Sequence, residues 1–164
     1  MKKETKDFKS CLQPSVKIIV SCRGNDGRDN ALAVGYAGNC SYDPPMVMVG
    51  IVPSRYSYHL VKETGVFVVN LVAKDNEDDF NYLGSHSGRD EDKLAKINSK
   101  VIDGKKVSAP ILSDFPVNIE CKVVDSIKTG SHEMFIGKVV YIHADQELID
   151  DEGKIDYSKI DFLC

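Results

Sequence analysis

The sequence predicts a mainly β protein, a small barrel with short peripheral helices. Three observations carry this. Six stretches are rich in Val, Ile and Phe or alternate apolar and polar residues with period two. Only short helical segments separate them. The regular long crossovers that a doubly wound parallel sheet requires are absent. At 164 residues the chain is expected to form one domain, residues 1–164, long enough to bury a sizeable core.

The elements follow in order. Residues 1–15 read as a polar lead-in. Residues 16–22 form a first strand, and Gly24-Asn25-Asp26-Gly27 turns the chain into a second over residues 30–36. The stretch from Gly38 to Pro45 is read as neither regular helix nor central strand, since paired prolines remove donors and restrict their neighbours. Residues 46–52 form a strongly apolar third strand. Pro53 stands where a helix can begin, with Ser54 and Ser57 as candidate caps, and Thr64-Gly65 ends it. A fourth strand covers residues 66–72 and a short acidic helix residues 75–83. Gly84 to Gly88 is a loop, and residues 89–97 form another short helix. Pro110 and Pro116 bracket a connection into a long hairpin, residues 117–127 and 133–141, with Thr129 to His132 at its turn.

Composition narrows the function classes. With 21 Lys+Arg against 25 Asp+Glu the net charge is −4, which argues against a broad nucleic-acid footprint or an anionic-membrane surface. No apolar run is long enough to suggest a membrane helix, and the basic N-terminus lacks the apolar stretch of a secretory signal. The five cysteines, Cys11, Cys22, Cys40, Cys121 and Cys164, show no CxxC spacing. Free thiols in a reducing cytoplasm are therefore expected. Phosphate loops of the Rossmann and Walker types, paired metal-ligand motifs and the serine-hydrolase elbow are all missing.

Three segments carry candidate chemistry. Pro53-Ser54-Arg55-Tyr56-Ser57 places a forked cation and two hydroxyls at a helix start, which suits an anion or, more simply, a capped helix with one surface arginine. Gly84-Ser85-His86-Ser87-Gly88-Arg89 offers close backbone approach, hydroxyls and a second arginine, or the start of a charged helix. Ala37-Gly38-Asn39-Cys40-Ser41 is a small-residue loop that admits a ring system or makes a plain turn. His132 lies in the hairpin turn, and Cys22 and Cys121 read as strand core residues.

Taken together these segments resemble the flavin reductase-like, FMN-binding split-barrel proteins, in particular their flavoredoxin-like branch. The matching stretches are Ala33 to Ser41 with Asp43-Pro44-Pro45, Arg55-Tyr56-Ser57, Gly65 to Leu71, Ser87 to Lys93, and Gly130 to Val140. The resemblance implies a Greek-key split barrel, a homodimer, and noncovalent FMN near the subunit interface. It places Tyr36, Ala37, Gly38, Asn39, Cys40 and Ser41 beside the flavin and Ser54, Arg55 and Ser57 near the ribityl phosphate. Asn70, Leu71, Ser85, Ser87, Gly88 and Arg89 become further pocket positions. His132 becomes both a flavin neighbour and the candidate catalytic residue. Some relatives carry a cysteine just before the segment matching Ser87-Gly88-Arg89. Here Leu83-Gly84-Ser85-His86 stands instead, which weakens any thiol-assisted mechanism.

The implied function is an FMN-dependent oxidoreductase, either a flavin reductase or an electron-transfer protein of flavoredoxin type. Its electrons would come from a nicotinamide cofactor or a redox protein. The alternative is a non-catalytic FMN carrier or sensor. A small nucleic-acid-binding barrel would need a basic stripe and an aromatic stacking platform, and the sequence supplies neither.

Overall fold

The computed structural model describes residues 1–164. The strands are β1 (Ile18–Arg23), β2 (Asp29–Val34), β3 (Ala37–Ser41), β4 (Met46–Ile51), β5 (Val66–Leu71), β6 (Val101–Asp103), β7 (Pro110–Leu112), β8 (Val117–Lys128) and β9 (Glu133–Ala144). The α-helices are α1 (Tyr56–Thr64), α2 (Glu77–Ser85) and α3 (Lys93–Lys96). Seven strands form one antiparallel sheet in the order β2-β1-β5-β8-β9-β4-β3, and β6 pairs with β7 alone. The sheet curls until β2 touches β4, although four strands separate them in that order. The result is a half-barrel with short helices outside it.

Strand parity divides the apolar residues between two faces. Ile18, Val20 and Cys22 of β1 point into the barrel. Leu32 and Val34, Val49 and Ile51, Phe67 and Val69, Cys121 and Phe135 meet them there, and Leu60 and Val61 of α1 close one end. The opposite parity faces out. Ile19 and Ala31 pack with Leu83, Leu94, Leu112 and Phe115, and Val68 packs with Val107, Ala109 and Ile111 of the β6–β7 hairpin.

Two polar knots fasten that hairpin to the sheet. Asn70 donates to Ser21 Oγ (2.9 Å) and accepts from Asn118 Nδ2 (2.8 Å) and from the Leu112 amide (3.3 Å). Ser21 Oγ donates to the Pro110 carbonyl (2.6 Å). Glu120, fully buried, accepts from the Lys105, Lys106 and Val107 amides at 2.6, 2.6 and 3.0 Å and pairs with His143 Nε2 at 2.7 Å. Such buried acceptors are stable only when satisfied, and these are.

The long hairpin lies at the centre of the sheet. Register shifts at Glu120/Cys121 and Val123/Asp125 bend it. Gly137 permits the bend to close, since a Cβ there would lie 2.6 Å from Phe67 Cζ. Gly65, at φ 69°, ends α1 with its amide on the Val61 carbonyl, as the Thr64-Gly65 pair led us to expect.

Several expectations are corrected. The Ala37–Ser41 stretch is an edge strand rather than a loop. Pro44 and Pro45 lie in the turn that follows it, where they remove no donor from the ladder. β6 and β7 occupy the connection before Pro116. Gly84 and Ser85 belong to α2, and the helix expected over residues 89–97 is one turn, α3. Ser54 and Ser57 do not cap α1: Arg55 holds the N-cap position without a side-chain hydrogen bond, and Ser57 lies inside the helix. All five cysteines are free, and burial pushes the Cys22 and Cys121 thiols up to about 12. No helix is long and apolar enough to cross a membrane.

Candidate functional site

A polar cavity of about 260 Å³ opens where α1 begins. β4 ends at Ile51, and Pro53 carries the chain into the first turn of α1. Because Arg55 makes no capping bond, the amides of this turn have no side-chain acceptor. The other wall is the segment between α2 and α3, with His86, Ser87, Gly88 and Arg89. Asn30 and Leu32 of β2 form the floor, and Lys93 reaches in from the start of α3.

The walls are tied together by their own side chains. Ser57, buried, accepts from Asn30 Nδ2 at 2.7 Å and so anchors α1 to β2. Arg89 Nη1 donates to the Ser54 carbonyl (2.9 Å) and Arg28 Nη2 to the Gly88 carbonyl (3.0 Å). Both guanidinium groups lie over the Tyr56 ring, 5.7 and 5.5 Å from its centre. Arg55 Nη2 makes only a long contact, 3.4 Å, to the Gly84 carbonyl. No carboxylate is among the lining residues, so Arg55, Arg89 and Lys93 give the cavity a net positive field.

Gly88 sets the fit of the two walls. A Cβ there would lie 2.5 Å from Asn30 Oδ1 and 2.6 Å from Tyr56 Cδ1. Gly88→Ala is therefore expected to push the loop off the Asn30–Ser57 pair. The cost should be about 1–3 kcal/mol, as for overpacking elsewhere, read as a lower urea midpoint with unchanged slope.

Lys93 was not singled out in the sequence, where residues 89–97 read as a charged helix. The missed signal is a lysine at the first position of a helix, where the macrodipole disfavours a cation. Its side chain is buried, its Nζ donates to the Leu83 carbonyl at 2.9 Å, and burial together with Arg55 lowers its pKa to about 8.

The remaining expected residues lie elsewhere. Ala37, Gly38, Asn39 and Leu71 line a second, apolar cavity of about 430 Å³ at the barrel mouth, with Ile18, Val49 and the lead-in residue Leu12. Tyr36 and His132 form an edge-to-face pair, centres 4.8 Å apart. His132 Nδ1 meets Ser131 Oγ at 2.8 Å, and the Tyr36 hydroxyl bonds Ser10. Gly50 lies close beside the Tyr36–His132 pair, since a Cβ there would lie 2.7 Å from Met134 Sδ and 3.3 Å from His132 Cδ2. Cys40 is exposed and Ser41 half-buried on β3. Ser85 Oγ bonds back to the Asn81 carbonyl of its own helix, and Asn70 points to the outer face. The polar cavity thus gathers Ser54, Arg55, Ser57, Ser87, Gly88 and Arg89. Tyr36, Cys40, Ser41, Asn70, Ser85 and His132 line neither cavity.

The donor set fits a phosphate dianion: two guanidinium groups and an ammonium, the Ser54 and Ser87 hydroxyls, an uncapped helix start, and a glycine whose place no side chain can take.

Comparison with known proteins identifies the family. The family model described as "Flavin reductase like domain" matches residues 12–158. The chain belongs to that family. Flavoredoxin of Desulfovibrio vulgaris (Miyazaki F) superposes with a TM-score of 0.89 at 28% identity, over 96% of this chain and 85% of that one. An uncharacterized protein of Archaeoglobus fulgidus is 30% identical over 130 residues, 79% of this chain and 73% of the relative. The NADH:riboflavin 5'-phosphate oxidoreductase of Streptomyces pristinaespiralis is 28% identical over 124 residues, 76% and 68% of the two chains. The split-barrel fold anticipated from the sequence is thereby established.

Proposed function

We propose that this chain is an FMN-dependent oxidoreductase, a flavin reductase or an electron-transfer protein of flavoredoxin type, built as a single split-barrel domain. The observation that carries the reading is the carboxylate-free cavity with Arg55, Arg89 and Lys93 at the start of α1, in a chain of the flavin reductase like family. FMN presents the terminal phosphate dianion that such a cavity selects. Riboflavin lacks it, and FAD carries it esterified within a larger pyrophosphate.

Bound FMN supplies the hydride or electron chemistry. The chain's own residues bind and orient. Arg55, Arg89, Ser54 and Ser87 hold the phosphate, and Ser57 keeps α1 against β2 so that these donors converge. The aromatic Tyr36–His132 pair and the small residues Ala37, Gly38 and Asn39 offer an apolar surface for the ring system. His132 would be the side chain to offer that ring a hydrogen bond. Cys40 is not required, because no second thiol stands in CxxC relation to it.

The functional unit is proposed to be a homodimer. β5 pairs with β8 only as far as Lys122, so the outer half of β8 has β9 alone beside it and leaves Val124 and Ile127 exposed. A strictly monomeric FMN-loaded species in sedimentation would defeat this part. The electron donor is proposed to be a nicotinamide cofactor or a redox protein.

The function is tested by NADH and NADPH oxidation with the FMN-loaded protein, followed at 340 nm alongside bleaching of the flavin band. Reduction of bound flavin by either donor, or by a redox protein, supports the oxidoreductase reading. Stable FMN binding with no donor able to reduce it would instead mark a carrier.

A further inference from the structure

The apolar cavity at the barrel mouth shares no lining residue with the phosphate site. Its volume of about 430 Å³ lies within the usual range for a small-molecule pocket. α1 closes the other end of the barrel with Leu60 and Val61, whereas this end stays open. The floor is made by Ile18, Val49, Val69, Leu71 and Ile119, which belong to the barrel core or pack against it. No charged side chain lines the cavity, although 28% of the chain is charged. Hydrogen-bonding side chains stand only towards the rim. Ser15 Oγ is already bonded to Gln13 Oε1 at 3.4 Å. The other two are Asn39, exposed on the edge strand, and Tyr157, 45% exposed.

We propose that this cavity binds a neutral quinone, the acceptor of the electrons that the flavin carries. This rests on the oxidoreductase reading above and adds its acceptor. A floor without charge or hydrogen-bonding groups rejects an ionised ligand and favours an apolar ring. The Asn39 amide and the Tyr157 hydroxyl can donate to a carbonyl oxygen at the open end. Ala37, Gly38 and Asn39 line the cavity and are also the residues that offer a surface to the flavin ring, so quinone and flavin share a wall. The flavin ring itself is a poor occupant of the floor, because its carbonyls and ring N–H would face five aliphatic side chains and lose their hydrogen bonds.

The exchange balances. Two electrons and two protons pass from the reduced flavin to the quinone, whose two carbonyl groups become hydroxyls. The hydroquinone leaves, and the flavin returns to its oxidised form, ready for the donor. A phenolic hydroxyl titrates only near about pH 10, so quinone and hydroquinone are both uncharged at neutral pH. An uncharged cavity can therefore accept the one and release the other. The Met48 thioether on its wall is flexible enough to follow the change in shape.

The probe is duroquinone. Every ring position of it is methylated, so the exposed Cys40 thiol beside Asn39 finds no free position to add to. Equilibrium dialysis measures its binding to apoprotein and to FMN-loaded protein. Saturable binding at one per chain is expected in both. Val47→Asp puts a carboxylate into the lining, which should weaken duroquinone about tenfold or more. FMN affinity should stay within about threefold, because the phosphate site is remote from Val47. Should that variant misfold, the double rim variant Asn39→Ala, Tyr157→Phe still decides, with an expected loss of about three- to tenfold. In a second readout, loaded protein reduced with one equivalent of dithionite without oxygen should regain its flavin band when duroquinone is added. No saturable binding to apoprotein, undiminished binding in either variant, competitive displacement of duroquinone by FMN, or a flavin that stays reduced would each overturn the proposal. Failure of the FMN reading shows separately: duroquinone would bind the apoprotein while FMN did not, leaving a quinone site without the redox role.

Discussion

Arg55→Ala is expected to weaken FMN binding about ten- to a hundred-fold, with the rate of flavin reduction at saturating FMN nearly unchanged. The magnitude is that of one hydrogen bond to a charged group, about 1.5–3 kcal/mol. The guanidinium is exposed and its one hydrogen bond, to the Gly84 carbonyl, is long at 3.4 Å. Its removal therefore costs the fold little and falls on the ligand. The phosphate arm takes no part in the redox step, so the loss is the same in ground and transition states and appears in affinity. Arg55→Lys should recover only part of it, because lysine keeps the charge without the rigid fork. Arg89 is the comparison. It is held at 2.9 Å on the Ser54 carbonyl, so Arg89→Ala should loosen the loop as well as weaken FMN. Isothermal titration of both variants with FMN and riboflavin separates the cases. Normal FMN binding in Arg55→Ala with loss in Arg89→Ala would assign the phosphate to the 87–89 loop. Normal binding in both would remove the phosphate from this cavity.

The second large effect concerns the hairpin that presents His132. Glu133 is 2% exposed. It accepts from Ser126 Oγ at 2.7 Å, from the Tyr58 hydroxyl, and from Lys62 Nζ at 3.1 Å. These bonds tie the start of β9 to β8 and to α1, one residue from His132. Glu133→Ala should cost about 3 kcal/mol, the low end for breaking a buried ion pair, because Lys62 is half exposed and can return to water. The pH dependence has a definite sign. The hydroxyl of Ser126, then that of Tyr58, and the Lys62 ammonium hold the Glu133 carboxyl down at about 2. In the unfolded chain it titrates at about 4.3. Its contribution is therefore complete above that value and is lost as the pH falls toward 2. In urea titrations the gap between wild type and Glu133→Gln should be widest near neutral pH and close on acidification. A gap that is constant from pH 7 to pH 3 would show that the carboxylate is not ionised in this network.

Most of the barrel was legible because its strands carry their parity openly. The strands expected over residues 66–72, 117–127 and 133–141 could be read from alternation and β-branched residues, and α1 from Pro53 and Gly65. β3 was hidden because Pro44 and Pro45 spoke against a regular element there, whereas both lie in the turn that follows the strand. β6 and β7 are three residues each, too short to show a period. Asn70 was expected in the pocket, yet the alternation of Phe67, Val69 and Leu71 into the barrel already turns it outward. Arg55, Ser57, Gly88 and Arg89 were legible as two separate loops. Their convergence was not, because it depends on Asn30 and Ser57 joining β2 to α1, 27 residues apart in sequence. Lys93 was lost in a run of charges and became visible only through its burial.

The central claim is that a positive, carboxylate-free cavity at the start of α1 binds the phosphate of FMN. Its most direct test is equilibrium titration of the purified apoprotein with FMN, riboflavin and FAD under identical salt and pH, with binding followed in the flavin visible band. The account predicts saturable binding of FMN at one per chain, with FMN preferred over riboflavin by at least tenfold and over FAD. Equal affinity for riboflavin and FMN, or no saturable binding of any flavin, would contradict it.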